Sequence, residues 1–233
     1  MLPERRKADP PTTTDPADWR PQAFGSKRPR AIADCVIEPR WSGVRVIARI
    51  GSSSDGSRTA TLSDEDGLDA TEEFADLARA IAAAALADEL VLDGYLTVEP
   101  TQRTVGVPRV MEIPTKGQIM GQLILGNRVR RHEAAERRLD PDRPIAFVAV
   151  DLLLIDGSSL IDLPLLERKR LLDAALRVDT LVRITPYVRP PIGSLAMTWH
   201  SQGFRELAYK PANGRYRPTG QPSDWAVAPI RGR

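Results

Sequence analysis

Cysteine is almost absent. Cys35 is the single one, so the chain can form no internal disulfide and offers no paired thiols to a metal. The two histidines, His132 and His200, lie far apart with no further His or Cys at ligand spacing, which argues against a zinc site and leaves no metal ligand to name. No run of about 18 apolar residues occurs. The opening MLPERRKADPP has charge and proline where a signal peptide needs an apolar stretch. These absences predict a cytoplasmic protein with no membrane partner, and make Cys35 a small buried apolar residue. Aromatics are scarce at 5%, so Leu, Val, Ile and Ala must fill the core of a chain that is 42% hydrophobic. Its 233 residues suffice for one large domain or two small ones. A strong charge of one sign is also missing: the net charge is +2, and residues 1–30 hold seven Lys/Arg against four Asp/Glu, which leaves the rest near neutral. A dedicated duplex-DNA binder usually shows a larger basic excess on its folded part.

What is present has a clear order. Residues 1–30 are rich in Pro, Thr and charge without helical or alternating period, and read as an extended basic arm ahead of a domain over 31–233. ADCVIEP, GVRVIARI and SRTATLS read as strands, separated by a turn at Ser42-Gly43 and by the hairpin signal GSSSDGS. TEEFADLARAIAAAALADE repeats apolar residues at Phe74, Leu77, Ala78, Ile81 and Ala85, the spacing of one helical face behind a Thr71 N-cap. ELVLDGYLTVEP is a buried strand with a glycine kink, TKGQIMGQLILGN a helix, and RVRRHEAAERRLDPDRP a polar connection with a solvated arginine surface. IAFVAVDLLLIDG is the strongest strand. LPLLERKRLLDAAL follows as an amphipathic helix with Pro164 near its first turn and Asp162 as cap. TLVRITPYV (strand), PIGSLAMTWHSQG (helix), RELAYKP and DWAVAPI (strands) complete the chain. Strands alternating with helices and several hairpins predict an α+β fold with antiparallel or mixed sheets.

Five separated pieces, EPRWSGVR, LVLDGYLTV, FVAVDLLLIDGSSLIDLPLLERKRLL, GFRELAYKPANGRYRPTG and SDWAVAPI, resemble successive motifs of the nucleotidyltransferase domain of ATP-dependent DNA ligases, particularly the bacterial end-joining type. The resemblance covers roughly Ala31 to Arg233. It implies that family's ATP-grasp-like fold, in which mostly antiparallel packed sheets are flanked by helices. It also implies a first step in which a lysine amine attacks the α-phosphate of ATP while metal ions neutralise the phosphates. Such an amine must be deprotonated, so the site has to lower its pKa. Arg40 stands at the lysine position of the pattern K-x-D-G. A guanidinium stays protonated and its electron pair is delocalised, so it is no usable nucleophile.

Other departures run the same way. The motif's Asp is Ser42. Glu65 stands for a phosphate- or ribose-facing Arg, Tyr95 for a metal- or ribose-binding Glu, and Val150 for the aromatic expected to stack on adenine. Arg205 replaces a further acid of the metal region. Val227 and Pro229 replace both triphosphate-binding lysines. Retained are Glu38, at a position to bond the adenine amino group, with Gly43, Arg45, Asp93, Gly94, Asp151, Lys210 and Trp225. The residues alone also allow structural roles: tight turns at Gly43 and Gly94, packing for Trp225 and Tyr216, and an Arg45 ion pair with Glu38 or Asp93. Lys210 on an apolar strand calls for an anion, since burying an ammonium unpaired is costly. The family carries a following OB-fold domain, and only RGR follows WAVAPI here, so none is expected.

The leading expectation is therefore a ligase-like pseudoenzyme that has lost self-adenylylation and acts as a binding or scaffold protein in DNA repair, with DNA or a repair protein as partner. One alternative is an active ligase or nucleotidyltransferase using a displaced lysine, Lys27 or Lys116. Another is a module that binds nucleotide or nucleic acid non-covalently. No cofactor is assigned on the leading reading; ATP and Mg²⁺ enter only with a working pocket.

Overall fold

The computed structural model describes residues 15–53, 56–97 and 145–230. The helix expected in TKGQIMGQLILGN, the polar connection after it, Lys116 and His132 lie outside these residues.

The strands are β1 (Cys35–Pro39), β2 (Val44–Ser52), β3 (Arg58–Asp64), β4 (Leu90–Thr97), β5 (Ala146–Ile155), β6 (Ser158–Ser159), β7 (Val182–Ile184), β8 (Glu206–Pro211) and β9 (Ala226–Pro229). The helices are α1 (Ala75–Ala84), α2 (Leu165–Ala175) and α3 (Gly193–Ser201). One sheet runs β3-β2-β4-β5-β6, with β7 added parallel to β5; the other is the antiparallel trio β1-β8-β9. The α+β architecture expected from the sequence is the one observed.

β5 is buried along nearly its whole length because both of its faces are covered. Phe147, Ala149 and Leu152 pack with α1 and Leu172 of α2, whereas Val148 and Val150 pack between the sheets with Ile37, Leu207 and Ala226 of the smaller sheet. A run of nine apolar residues broken by one acid reads as such a doubly covered strand. Its pairing with β4 shifts register at Asp93/Gly94, where Val150 has no partner. This bulge re-aims the strand, so that Val150 and Asp151 both serve the region between the sheets.

The helices depart from the expected caps. α1 buries Leu77, Ala78, Ile81, Ala82 and Ala84. It starts at Ala75, and the Thr71 hydroxyl accepts the Leu62 N–H at 2.9 Å instead of capping the helix. Thr71 is drawn to β3, and the helix is held by its apolar face rather than by an N-cap. At α2, Pro164 itself is the N-cap residue, and Asp162 lies 3.5 Å from Arg215 on the surface. The buried face of α2 includes Arg168 and Lys169 beside Leu165, Leu172 and Ala175, two cations on a stripe that packs inward.

The packed body also begins earlier than Ala31. Trp19 is 1% exposed and packs with Ile47, Leu153, Tyr216 and Trp225. Asp15 caps the short 3-10 turn Pro16–Asp18. Residues 15–30 lie against the body rather than apart from it, with Trp19, Pro21 and Gln22 buried.

Candidate functional site

β1 and the turn after it carry Glu38 and Arg40 to the space between the sheets. Gly43 makes that turn possible: its φ is +112°, and a Cβ there would fall 2.2 Å from the Leu96 carbonyl oxygen. β2 then brings Arg45 opposite Tyr95 of β4. Together with Phe24, Val150, Lys210 and Trp225, these residues line a cleft whose enclosed space has room for about one water molecule, so it is largely filled by its own side chains.

The filling is ionic. Arg45 forks onto Asp93, with Nε 3.0 Å from Oδ1 and Nη2 2.6 Å from Oδ2, and its Nη1 donates to the Gln22 carbonyl at 2.7 Å. Tyr216 donates its hydroxyl to Asp93 at 2.8 Å while accepting the Gln22 N–H at 2.9 Å. Arg168 forks onto Asp151 at 2.9 and 2.8 Å. Asp93 and Asp151 face each other across β4 and β5. Like charges directly opposite would repel, and each therefore has its own guanidinium.

Glu38 holds two ammonium groups. Lys210 Nζ lies 2.7 Å from Oε2 and Lys169 Nζ 2.5 Å from Oε1, all three side chains at 2% exposure or less. Lys169 has a further donor for the Val150 carbonyl, at 2.7 Å. Burial pushes the Glu38 carboxyl up, but Lys169 and Lys210 outweigh it and hold the carboxyl below its ordinary value. Lys210 is lowered, chiefly by desolvation and against the pull of Glu38. Its ammonium also sits 4.2 Å from the centre of the Trp225 ring. The anion that Lys210 was expected to need is thus a residue of the same chain.

Arg40 is tied down as well. Its Nη1 lies 2.5 Å from Glu206 Oε2, its N–H donates to the Glu206 carbonyl at 3.0 Å, and its guanidinium lies 5.3 Å from the Phe24 ring centre. Its Nε–H finds no acceptor among the described residues. Of the expected site residues, Glu38, Arg40, Arg45, Tyr95, Val150 and Lys210 line the cleft, and Asp93 lies beneath Arg45. Ser42, Glu65, Arg205, Val227 and Pro229 are not part of its lining. Phe24, Lys169 and the pairing of Glu206 with Arg40 were not foreseen; a cationic pair on the apolar face of α2 was the available signal for Lys169.

The donor set does not suit a catalytic metal. At the positions where acids are expected, the Tyr95 ring faces the Arg45 guanidinium at 5.6 Å, and Arg205 stands beside His200 on the surface. Neither a ring face nor a guanidinium ligates a divalent cation.

No protein-family model matches the chain. It is 29% identical over 147 residues to "DNA ligase 2" of Methanosarcina mazei, covering 63% of this chain and 22% of that protein. It is 24% identical over 191 residues to "Multifunctional non-homologous end joining DNA repair protein LigD" of Mycobacterium tuberculosis, covering 82% of this chain and 21% of that one. The chain thus spans about a fifth of the length of the curated relatives it matches. The crystal structure of the ligase domain from M. tuberculosis LigD superposes with a TM-score of 0.60 at 20% identity, covering 91% of this chain and 59% of that one. A mycobacterial DNA ligase D complexed with ATP and MES gives 0.59 at 20% identity, over 91% and 60%. In sequence the chain is thus similar to ATP-dependent DNA ligases, including the end-joining type, and it shares the fold of their ligase domain.

Proposed function

We propose that this chain is a ligase-type nucleotidyltransferase domain that no longer adenylylates itself, and that it works as a non-catalytic binding or scaffold protein in DNA repair. The observation that carries the reading is Arg40: the residue at the nucleophile position is a permanent cation, ion-paired with Glu206 at 2.5 Å. An arginine held in this way neither gives up a proton nor presents a lone pair to phosphorus. Lys210 cannot take over, because its ammonium is buried between Glu38 and the Trp225 ring. Lys27 lies in an exposed pair with Asp224 at 2.9 Å and is not among the residues that line the cleft. Tyr95 and Arg205 in place of acids support the same reading, since metal-assisted transfer needs donors that they lack.

The partner is proposed as DNA or a DNA-repair protein, by analogy with relatives named for ligation and end joining. Residues 205–233 carry six basic side chains against two acidic ones, which favours phosphate contact there. The test is a nicked duplex with ATP and Mg²⁺ or Mn²⁺, read for sealing and for retention. The proposal predicts no sealing and a duplex affinity that falls steeply with salt. Sealed product would contradict the loss of catalysis, and salt-independent or absent binding would move the partner from DNA to protein.

A second reading, non-covalent nucleotide binding, draws on the Arg40 Nε–H, which has no acceptor among the described residues, and on the aromatic lining of the cleft.

A further inference from the structure

A piece of the chain's own N-terminal region forms part of the cleft's wall. Phe24 lies among its lining residues, with its ring 5.6 Å from the Trp225 ring, 5.3 Å from the Arg40 guanidinium and 5.9 Å from that of Arg45. A planar ring between two guanidinium groups and an indole takes the kind of position a nucleobase would need to enter.

The piece that carries Phe24 is held differently from its neighbours. Trp19 and Gln22 are buried and anchored, Gln22 through Arg45, Tyr216 and the Arg217 N–H. From Ala23 onward the chain is only half-buried, and it is exposed by Ser26. Besides the Phe24 ring contacts with Arg40 and Arg45, residues 23–27 meet the body at residues 222–225. The Gly25 N–H donates to the Trp225 carbonyl at 2.8 Å, and the Ser223 N–H and hydroxyl donate to the Ala23 carbonyl at 3.1 and 2.7 Å. Lys27 pairs with Asp224 with both side chains at least half exposed, a contact worth little in water. Beyond it, the 3-10 turn Pro29–Ala31 leads into β1. The approach at Gly25 is close: a Cβ there would sit 1.9 Å from the Ser223 carbonyl oxygen. Only glycine lets the two backbones meet.

We propose that residues 23–27 form an autoinhibitory flap, hinged between the Gln22 anchor and the Pro29–Ala31 turn, whose Phe24 ring occupies the mouth of the cleft and must lift before a nucleotide enters. The ligand class rests on the ligase-type reading above; the closure rests on the flap's own contacts. A site that is open only part of the time binds with its intrinsic affinity reduced by the open fraction. Loosening the flap should therefore tighten binding without touching the charged network beneath.

The experiment measures ATP binding by calorimetry in the presence of EDTA, so that no transfer can follow. It compares the unaltered chain with Phe24→Ala, Phe24→Tyr and Gly25→Ala, each first checked for a cooperative thermal transition. Phe24→Ala removes the ring, and Gly25→Ala pushes the flap off Ser223 while keeping the ring. Both are expected to bind ATP about tenfold tighter or more, with Phe24→Tyr unchanged. Equal affinity of the unaltered chain and Phe24→Ala, or no binding by either, overturns the proposal. Should Phe24→Ala fail to fold, amide exchange at Gly25 in the unaltered chain decides: excess ATP should speed it, and exchange unchanged by ATP overturns the flap. A separate incubation with ATP and Mg²⁺, read by intact mass, distinguishes the two: an AMP adduct on the unaltered chain would sink the loss-of-adenylylation reading alone, whereas equal ATP affinity without adduct would sink the flap alone.

Discussion

Glu38 is one carboxylate between two buried ammonium groups, and its removal would leave both without a counter-charge. Breaking a buried ion pair from one side costs about 3–5 kcal/mol. Glu38→Gln should lose at least that in urea unfolding or fail to fold. The pH dependence has a definite sign. The Glu38 carboxyl lies below its ordinary value of 4.5 in the folded protein, so its contribution is fully present above that pH and is lost as pH falls through the lowered folded value. The urea midpoint should drop on the acid side, and Lys210→Met, which removes one of the two ammonium groups that lower the carboxyl, should flatten that limb. An acid limb unchanged in Lys210→Met would contradict the assignment. Arg45 and Asp93 offer a second test at this scale. Asp93→Asn leaves a buried guanidinium unpaired and should cost about 3–5 kcal/mol. The double variant Arg45→Met, Asp93→Leu should cost less than that single change, measured as a double-mutant cycle. Part of this network was legible beforehand. A lysine on an apolar strand demands an anion, and Arg45 had two carboxylates within reach in the motif. The partner of Arg40 and the role of Lys169 were not legible, because Glu206 lies 166 residues from Arg40 and meets it only through the pairing of β1 with β8.

At the scale of elements, strand patterns were the easiest to read and helix starts the hardest. β2, β3 and β5 follow runs of β-branched and apolar residues ended by glycine or aspartate turns, a local signal. The start of α1 was misplaced because Thr71 satisfies a β3 amide, a tertiary competitor that no local pattern shows. Trp19 was hidden for a similar reason: a lone aromatic in a Pro-rich stretch gives no period, yet it fills a slot between Tyr216, Trp225 and β5. Trp19→Ala should therefore cost about 3–5 kcal/mol by denaturant melt; a neutral result would mean that residues 15–30 are an appendage after all. The turn at Gly43 makes the opposite kind of prediction, one visible in sequence and sharpened by geometry. Gly43→Ala forces a positive φ on an L side chain and drives a Cβ onto the Leu96 carbonyl oxygen. It should destabilise by about 1–3 kcal/mol, seen as a lower thermal midpoint with the same unfolding cooperativity.

For the whole molecule, the ligase-type fold encloses a cleft whose charged groups pair with one another. Arg40 meets Glu206, Arg45 meets Asp93, Arg168 meets Asp151, and Glu38 is shared by Lys169 and Lys210. Such a cleft is stable without a ligand. The fold was recoverable from the order and spacing of five motifs because those motifs also build strands and turns. The closure of the cleft was not recoverable, since it depends on where Phe24 lands after Trp19 and Gln22 are anchored. The most direct test of lost adenylylation is the intact mass of the purified chain after incubation with ATP and Mg²⁺ or Mn²⁺. The expected result is an unchanged mass; a gain of one adenylyl group on the unaltered chain would contradict it and direct the search to another nucleophile.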